Sequence, residues 1–463
     1  MKSSRLRCVS LMLFLAVCVR SNAQDAGKLN SNTGEEAAPT PPMGWNSYDA
    51  FGSNVTEAQF RSEVDFLRAN LLSHGWKYAV VDYLWFNPTG GPNIHLRKNG
   101  EPIDSLAMDE FGRLLPAVNR FPSAAGSNGF KPLAEYVHGM GLKFGIHIMR
   151  GIPRQAYWKN MRILGTTFSA REAADTLASG LCPWNDNMYG LDPERPGSQA
   201  YYNSIFNLYA QWGVDFIKVD DIARPYHKGE IEMIRKAIDQ CGRPMVLSLS
   251  PGETPLSEGQ NVSKNASMWR IADDMWDSWK DLRHNFDLLN SWTEWRKKGH
   301  WPDADMLPIG HVSLNGSPNG PDRLSRFTKE ETYTLLTLWC IARSPLIMGG
   351  ELLTTPQWVI ALLQNSEVIA VDQHSTENRQ VMKNDSDAVW MGRDPATGKI
   401  YVALFNLLDQ GRTIEFKFVW VPDLKGPCLL HDLWNNRDIG SVEKRFTITV
   451  GAHGAGLFSL TQQ

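Results

Sequence analysis

The sequence predicts a (β/α)8 TIM barrel followed by a C-terminal antiparallel β-sandwich domain, and three observations lead to this fold class. About eight short apolar runs alternate with segments of helical spacing between residues 41 and 365. These runs are continuously apolar rather than alternating, which is typical of a parallel sheet covered on both faces. Near residue 366 the pattern changes to short β-runs separated by turn signals, with almost no helical spacing.

Each predicted barrel strand is an apolar run, and most are followed by a predicted helix. The strands are PMGWNSY (42–48), KYAVVDYLWF (77–86), LKFGIHIM (142–149), WGVDFIKVDD (212–221), MVLSLSP (245–251), MWRIADD (268–274), DADMLPIG (303–310) and SPLIMGG (344–350). The clearest helices are TEAQFRSEVDFLRANLL (56–72), SQAYYNSIFNLYAQW (198–212) and KEETYTLLTLWCIA (329–342). A doubly wound open sheet is the alternative, but the glycine-rich phosphate-binding turn that would favour it is absent after the first strand.

The N-terminus is predicted to be a cleaved signal peptide covering residues 1–23, because a basic start and a short apolar run precede a small-residue site before Gln24. We therefore expect a secreted or periplasmic protein. Cys18 weakly resembles a bacterial lipobox cysteine, which leaves a lipid anchor as an alternative. Residues 24–40 are expected to be a linker, 41–365 the catalytic barrel and 366–463 the sandwich.

The composition points to carbohydrate rather than to nucleic acid or an anionic membrane. The net charge of −3 over 463 residues provides no excess of positive charge for a polyanion. The 17 tryptophans suggest a sugar ligand, because indole faces stack on the apolar faces of sugar rings, and ordinary aromatic filling of a large core is the alternative. We therefore expect a carbohydrate substrate, no nucleic-acid partner and no transmembrane segment, while the oligomeric state is left open.

Charged and aromatic residues accumulate at the ends of the predicted strands. The carboxyl ends of barrel strands carry the active site in enzymes of this fold, so these residues are the candidates for chemistry. They are Trp45, Asp82, His147, Lys218, Asp220, Asp221, Ser248, Ser250, Arg270, Asp273, Asp274, Asp303 and Asp305.

Two carboxylates in this group have the pattern of a glycosidase. Alternation places Lys218 and Asp220 on one face of their strand, where the ammonium would hold the carboxylate ionised, as a nucleophile must be. The same spacing pairs Arg270 with Asp274. Two carboxylates that face one pocket are the equipment for glycoside hydrolysis, and a purely structural ion-pair network is the alternative.

Other common chemistries fit less well. The four cysteines after the signal peptide match no zinc spacing, and no HExxH motif occurs, so no metal or cofactor is predicted. LSLSPG lacks the GxSxG elbow of serine hydrolases. Asp303 and Asp305 could contribute to a divalent cation site, but their further ligands are not apparent.

Seven segments together resemble glycoside hydrolase family 27, the family of α-galactosidases and α-N-acetylgalactosaminidases. They are PPMGWNSY, YAVVDYLW, GLKFGIHI, WGVDFIKVDD, MWRIADDMWDSW, WPDADMLPIG and SPLIMGG, in the family's order over about residues 40–460. The resemblance implies a retaining, metal-independent hydrolase with Asp220 as nucleophile and Asp274 as acid/base. It implies a substrate-binding set of Trp45, Asp82, Tyr83, Lys218, Ser250, Arg270 and Asp305.

The sequence departs from the family where the sugar is recognised. Family α-galactosidases carry two acids at the end of the second strand, at the O4/O6 edge of galactose, and here the second is Tyr83. Ser250 stands where they carry a glutamate. We expect a retaining α-glycosidase that releases terminal galactose-like units. The alternatives are a β-L-arabinopyranosidase or an isomaltose-releasing dextran hydrolase on the same machinery, or a non-catalytic carbohydrate-binding barrel.

Overall fold

The computed structural model describes residues 34–90, 97–102, 105–316 and 319–463. The predicted signal peptide, the lipobox-like Cys18 and most of the predicted linker lie outside these residues. Within the described ranges, no helix is long and apolar enough to cross a membrane.

Eight parallel strands form the predicted barrel. They are β1 (Met43–Asn46), β2 (Tyr78–Val81), β3 (Lys143–Met149), β4 (Phe216–Asp220), β5 (Val246–Leu249), β6 (Met268–Arg270), β7 (Trp301–Asp303) and β8 (Leu346–Met348). The strands pair in chain order from β1 to β7, and β1 also pairs with β8. Leu307, just after β7, bridges Met348 in parallel and closes the circle.

Nine helices of seven or more residues lie in the described part of the chain. They are α1 (Glu57–Asn70), α2 (Lys131–Gly139), α3 (Ser198–Trp212), α4 (Lys228–Gln240), α5 (Gly259–Asn265), α6 (Trp279–Ser291), α7 (Lys329–Ala342), α8 (Gln357–Leu363) and α9 (Ser366–His374). Capping boxes at Thr56 and Thr328 begin α1 and α7. A left-handed Gly213 ends α3, as the sequence predicted.

Strands β6 and β7, which precede Asp274 and Asp305, end earlier in the chain than expected. Strand β6 ends at Arg270 rather than continuing to residue 274, and β7 covers Trp301–Asp303 rather than 303–310. Asp305 has a φ of 92°, which lies outside the range of regular strand backbone. The carboxylates after β6 and β7 therefore lie on loops that turn over the barrel mouth.

A long excursion between β3 and β4 builds one side of this mouth. It contains a three-stranded sheet of Ile152–Pro153, Ala174–Asp175 and Met188–Leu191, with the short helices Arg154–Trp158 and Ala170–Ala173. A second small hairpin, His311–Val312 with Arg323–Leu324, follows β7. Tyr48–Phe51 forms a short helix directly after β1.

The C-terminal part is the predicted antiparallel β-sandwich. Its strands are β9 (Thr376–Lys383), β10 (Asp387–Arg393), β11 (Ile400–Asn406), β12 (Arg412–Lys417), β13 (Cys428–Asp432), β14 (Arg437–Val442), β15 (Arg445–Val450) and β16 (Ala455–Gln462). One sheet has the order β9-β10-β11-β16-β13-β14, and the other is the pair β12-β15. Buried aliphatic and aromatic residues fill the space between them, among them Val402, Phe416 and Phe446.

Two segments next to these domains differ from the expectation. Residues 366–374, expected to begin the sandwich, form helix α9, and Arg343 donates hydrogen bonds to its last carbonyls, those of Asp372 and Gln373 at 2.7 and 3.1 Å. At the other end, Ala38 in the predicted linker is buried, and its carbonyl accepts a hydrogen bond from Trp301 Nε1 at 2.9 Å. The end of this segment therefore packs on the barrel.

Candidate active site

The carboxyl ends of the barrel strands surround a cavity of about 200 Å³. This is smaller than the roughly 300–1,000 Å³ of pockets for drug-sized ligands, and it suits one sugar unit. Its walls are Tyr48, Asp49, Asp82, Tyr83, Trp184, Lys218, Asp220, Arg224, Ser250, Pro251, Arg270, Asp273, Asp274, Met275, Trp276, Asp305 and Met306. Eight of the nine predicted site residues are among them, and the ninth, Trp45, is not.

Trp45 belongs to the barrel wall, so its prediction as a substrate-binding residue is corrected. Its side chain is fully buried, packs on Phe51 and Phe60, and donates a hydrogen bond to the Gly350 carbonyl at 2.8 Å. The aromatic residue from this segment that lines the cavity is Tyr48. Trp45 lies near the end of β1 and Tyr48 follows the strand, so the motif alone could not show which side chain faces the cavity.

Lys218 makes its direct ion pair with Asp82 rather than with Asp220. Its ammonium lies 3.1 Å from Asp82 Oδ2, which also accepts a hydrogen bond from Asn46 at 2.6 Å. The backbone N–H of Tyr83 donates to the other oxygen at 2.7 Å. Burial raises the pKa of Asp82, but Lys218 and its other partners lower it more strongly, so the carboxylate is ionised.

Asp220 is held by His147, a residue at the end of β3. His147 Nε2 lies 3.0 Å from Asp220 Oδ2, and the backbone N–H of Asp221 donates to Oδ1 at 2.8 Å. Burial opposes ionisation, but His147 and the nearby Lys218 charge outweigh it and lower the pKa of Asp220 to about 2. The carboxylate therefore stays ionised at neutral pH, which nucleophilic attack requires.

Asp274 lies at the rim of the cavity and contacts Arg270. The guanidinium is 3.1 Å from Asp274 Oδ1 and 2.8 Å from Asp305 Oδ2. Arg270 and Asp305 are buried, whereas 66% of the Asp274 side chain is exposed. Backbone N–H groups of Met275 and Met306 also donate to Asp305, at 2.7 Å each. The buried pair thus anchors a carboxyl group that remains accessible to a leaving group.

A buried network behind the cavity positions the residue after the nucleophile. Asp221 has a left-handed φ of 57°, and its side chain turns away from Asp220 to pair with Arg150 at 2.9 Å. Arg150 also pairs with Glu230 at 2.7 Å, and Tyr202 donates to the same carboxylate at 2.5 Å. Strained backbone held by surrounding contacts is common at functional sites. The side chains of Asp220 and Asp221 therefore point in different directions, Asp220 to the cavity and Asp221 to Arg150.

The sequence assigned no specific role to several of these residues, although His147 was among the candidates at the strand ends. His147 was visible as a polar group at the end of an apolar strand, and it pairs in register with Lys218. Arg150 gave no such signal, because its partners come from distant parts of the chain. Asp49 lies in the cavity wall and is buried, although nothing about its position next to Tyr48 indicated this.

Asp303 and Asp305 support Arg270 and each other. Asp303 Oδ1 accepts the backbone N–H of Asp305 at 3.0 Å, and Asp305 pairs with the guanidinium as described. Across the described residues, no group of three or more His, Cys, Asp or Glu side chains is arranged to hold a metal ion. The four cysteines Cys182, Cys241, Cys340 and Cys428 are free thiols.

The comparisons with known proteins decide the family. Residues 193–374 match the family described as Alpha galactosidase A, and residues 384–460 match its C-terminal beta sandwich domain. The crystal structure of a GH27 β-L-arabinopyranosidase from Geobacillus stearothermophilus is 47% identical, with a TM-score of 0.88, over 93% of this chain and 98% of that one. The chain belongs to glycoside hydrolase family 27. It is therefore a glycoside hydrolase.

Other family 27 relatives differ in the activity their names give. A putative α-N-acetylgalactosaminidase from Bacillus halodurans is 44% identical, with a TM-score of 0.81, over 92% of this chain and 98% of that one. Alpha-galactosidase 2 of Arabidopsis thaliana is 26% identical over 92% of this chain and 90% of its own length. Membership of family 27 therefore leaves the sugar to be argued from the cavity.

We predict that Asp220→Ala and Asp274→Ala each lower kcat on a nitrophenyl glycoside by at least about a thousandfold, because they remove the proposed nucleophile and the proposed acid/base. Azide should restore activity to Asp220→Ala and give a glycosyl azide of inverted anomeric configuration. Circular dichroism checks that both variants fold.

The matched control is Asp273→Asn. Asp273 is next to the proposed acid/base but half-exposed and paired with Arg224, so its replacement should change kcat by less than about tenfold. Near-normal turnover by Asp220→Ala on an activated substrate would contradict the assignment.

Proposed function

We propose that this family 27 enzyme is a retaining β-L-arabinopyranosidase that removes terminal units from oligosaccharides or polysaccharide side chains. The observation that carries the proposal is Tyr83, a phenol in the wall of the sugar cavity at the position of the second acid of family α-galactosidases. β-L-Arabinopyranose has the ring configuration of α-D-galactopyranose and lacks only its exocyclic hydroxymethyl group. An aromatic ring that replaces a hydrogen-bond acceptor at the O4/O6 edge favours the sugar that lacks the hydroxymethyl group.

The Tyr83 ring is fixed rather than adaptable. It has edge contacts with Tyr48, His147 and Trp184 at centroid distances of 6.4, 5.4 and 6.2 Å, and its hydroxyl accepts a hydrogen bond from Asn185. Because four side chains hold it, the ring cannot swing aside at low cost for a hydroxymethyl group. A hydroxyl buried without a partner costs about 1–3 kcal/mol, which is roughly 5- to 150-fold in discrimination.

The remaining polar groups of the cavity suit the hydroxyls that both sugars share. Asp82 is an ionised acceptor in the cavity wall, and Lys218 is a donor beside it. Ser250 Oγ is buried at the cavity wall and has no hydrogen-bond partner among the described residues. A bound sugar hydroxyl would satisfy it, which supports the predicted substrate-binding role of Ser250.

The relatives support the same sugar. The β-L-arabinopyranosidase from Geobacillus stearothermophilus is 47% identical to this chain, against 26% for the Arabidopsis α-galactosidase. A variant of the bacterial enzyme is also known in complex with arabinose. An α-galactosidase is the second candidate, because the matching family descriptions and the curated relatives name that activity.

The proposed mechanism is a double displacement. Asp220 attacks the anomeric carbon while Asp274 protonates the leaving oxygen, which gives a glycosyl–enzyme ester and a free alcohol. Asp274 then takes a proton from a water that attacks the same carbon, and Asp220 is released. Two inversions retain the anomeric configuration. His147 and Lys218 keep Asp220 ionised between turnovers, and Arg270 positions Asp274.

We predict that the wild-type kcat/KM for nitrophenyl β-L-arabinopyranoside exceeds that for nitrophenyl α-D-galactopyranoside by at least about tenfold, from the cost of a buried unpaired hydroxyl. Tyr83→Asp should raise kcat/KM for the galactoside and so reduce the preference for the arabinoside, because it restores a hydrogen-bond acceptor and removes the aromatic ring. Tyr83→Phe, which keeps the ring, is the control and should retain the preference. Equal wild-type rates with no gain in Tyr83→Asp would make α-galactosidase the better description.

We further propose that the enzyme acts outside the cytoplasm, where plant or microbial polysaccharides are accessible. The basic and apolar residues at the start of the chain support this location. Mass spectrometry of the mature protein from its host should then find Gln24 at the N-terminus. Recovery of the full chain from the cytoplasmic fraction, starting at Met1, would refute export.

A further inference from the structure

A second cavity lies at the end of the barrel opposite the sugar site. Its walls carry five cationic side chains, Arg296, Lys297, Lys298, Arg343 and Arg379, and we call it the basal pocket. The first three precede β7, Arg343 precedes β8, and Arg379 lies in β9, so the pocket opens at the amino ends of the barrel strands, next to the sandwich. Its volume is about 680 Å³, against about 200 Å³ for the sugar cavity. It can therefore hold a ligand larger than a simple ion.

The positive charge of the basal pocket is not balanced by carboxylates. Among the described residues, Glu377 is the one acid in its wall, and its carboxylate pairs with Arg393 at 3.3 Å instead. None of the five cations forms an ion pair within the ranges that the structure describes. Cations gathered in a concave wall raise the local positive potential and attract anions. The pocket thus has the charge of an anion site, although the whole chain carries a net charge of −3.

Two of these cations are held close together by the fold. Arg296 donates hydrogen bonds to the carbonyls of Ala342, at 2.6 Å, and Asn378, while Arg343 donates to the carbonyls at the end of α9. Carbonyls satisfy the N–H groups but leave both charges unneutralised. Burial and the Arg343 charge lower the pKa of Arg296 to about 9, and burial raises the pKa of Asp372, the nearby carboxyl, well above its usual range. A bound anion would relieve this repulsion.

The uncharged part of the wall favours a sugar over a nucleobase. Trp301 is the aromatic residue in the described wall, but it is 1% exposed, and the Arg343 guanidinium lies over its ring at 4.7 Å from the centroid. It therefore offers no face on which a base could stack. Asn378 Oδ1 is buried at the wall and has no hydrogen-bond partner among the described residues. An anion cannot satisfy this acceptor, whereas a sugar hydroxyl can donate to it.

We propose that the basal pocket binds the carboxylate-bearing sugars of an acidic glycan, at a site separate from the active site. The cations receive the carboxylates, and the neutral part of the wall receives hydroxyls of the same rings. A polysaccharide that contains uronate residues is then held by the enzyme independently of the unit that is cleaved. That the anion is part of a glycan rests on the proposed function, whereas the excess of positive charge in the pocket does not depend on it.

Isothermal titration calorimetry at low salt tests this with two trisaccharides, a β-1,4-linked glucuronate trimer and its neutral counterpart cellotriose. Their glucose configuration and β-linkages differ from those of the proposed substrate, so neither should enter the sugar cavity. We expect the wild-type enzyme to bind the acidic trimer at least about tenfold more tightly than cellotriose, because only the acid forms charge-assisted hydrogen bonds. In Lys297→Gln/Lys298→Gln, which changes two exposed side chains, Kd for the acidic trimer should rise at least about tenfold.

The matched control is Lys236→Gln/Lys425→Gln, which removes the same charge from exposed lysines outside the pocket and should leave Kd within about twofold. Equal Kd values for the two trisaccharides, or an unchanged Kd in Lys297→Gln/Lys298→Gln, would overturn the proposal. Inorganic phosphate is titrated as well. Binding of phosphate without binding of the acidic trimer would indicate a site for small oxyanions and overturn the assignment to a glycan.

Hydrolysis of nitrophenyl β-L-arabinopyranoside is measured in the same variants and should be unchanged, because the pocket lies at the other end of the barrel. An enzyme that is inactive on this substrate but binds the acidic trimer as expected would refute the proposed sugar and support the pocket. Normal hydrolysis without that binding would overturn the pocket and leave the proposed function intact.

Discussion

The buried ammonium of Lys218 is the charge on which the arrangement of the barrel mouth depends. Only 12% of its side chain is exposed, and it pairs with an Asp82 side chain that is 2% exposed. A carboxylate buried without a cation costs several kcal/mol and would take up a proton instead. Lys218 is the largest cause that lowers the pKa of Asp82, and it adds to the larger effect of His147 on the pKa of Asp220, so it sustains both the proposed sugar acceptor and the proposed nucleophile. Arg270 likewise contacts two carboxylates, Asp305 at 2.8 Å and Asp274 at 3.1 Å.

Because the ion pairs and Tyr83 occupy different parts of the cavity wall, one barrel can keep its charged groups while its sugar specificity changes. The cations and the paired carboxylates lie at the ends of barrel strands and hold one another. The Tyr83 ring, by contrast, is held mainly by aromatic contacts, among them those with His147 and Trp184. A substitution at that edge therefore alters the shape and polarity offered to C6 without releasing the charges that the reaction requires.

Much of the fold followed from the sequence, because strand and helix periods and the change of pattern near residue 366 are local signals. Alternation likewise placed Lys218 and Asp220 on one face of β4, and both line the cavity. The residues whose predicted contacts differ from the structure are positioned by contacts between distant segments of the chain. Trp45 and Tyr48 could not be distinguished from one motif, and Lys218 was assigned to Asp220 because its closer partner Asp82 lies on another strand. Helix α9 (residues 366–374) was not predicted, because its apolar content is similar to that of the strands that follow it.

The central claim is that an ionised Asp220, held by Lys218 and His147, attacks an arabinopyranosyl unit. A fluorinated arabinopyranosyl fluoride that forms the glycosyl–enzyme rapidly and releases it slowly tests this by mass spectrometry of the trapped protein. We expect one adduct per chain, on the peptide that contains WGVDFIKVDD, with the label at Asp220 and slower labelling by the matching galactosyl reagent. A label on another residue, or steady turnover of ordinary substrate without any trapped ester, would contradict the account.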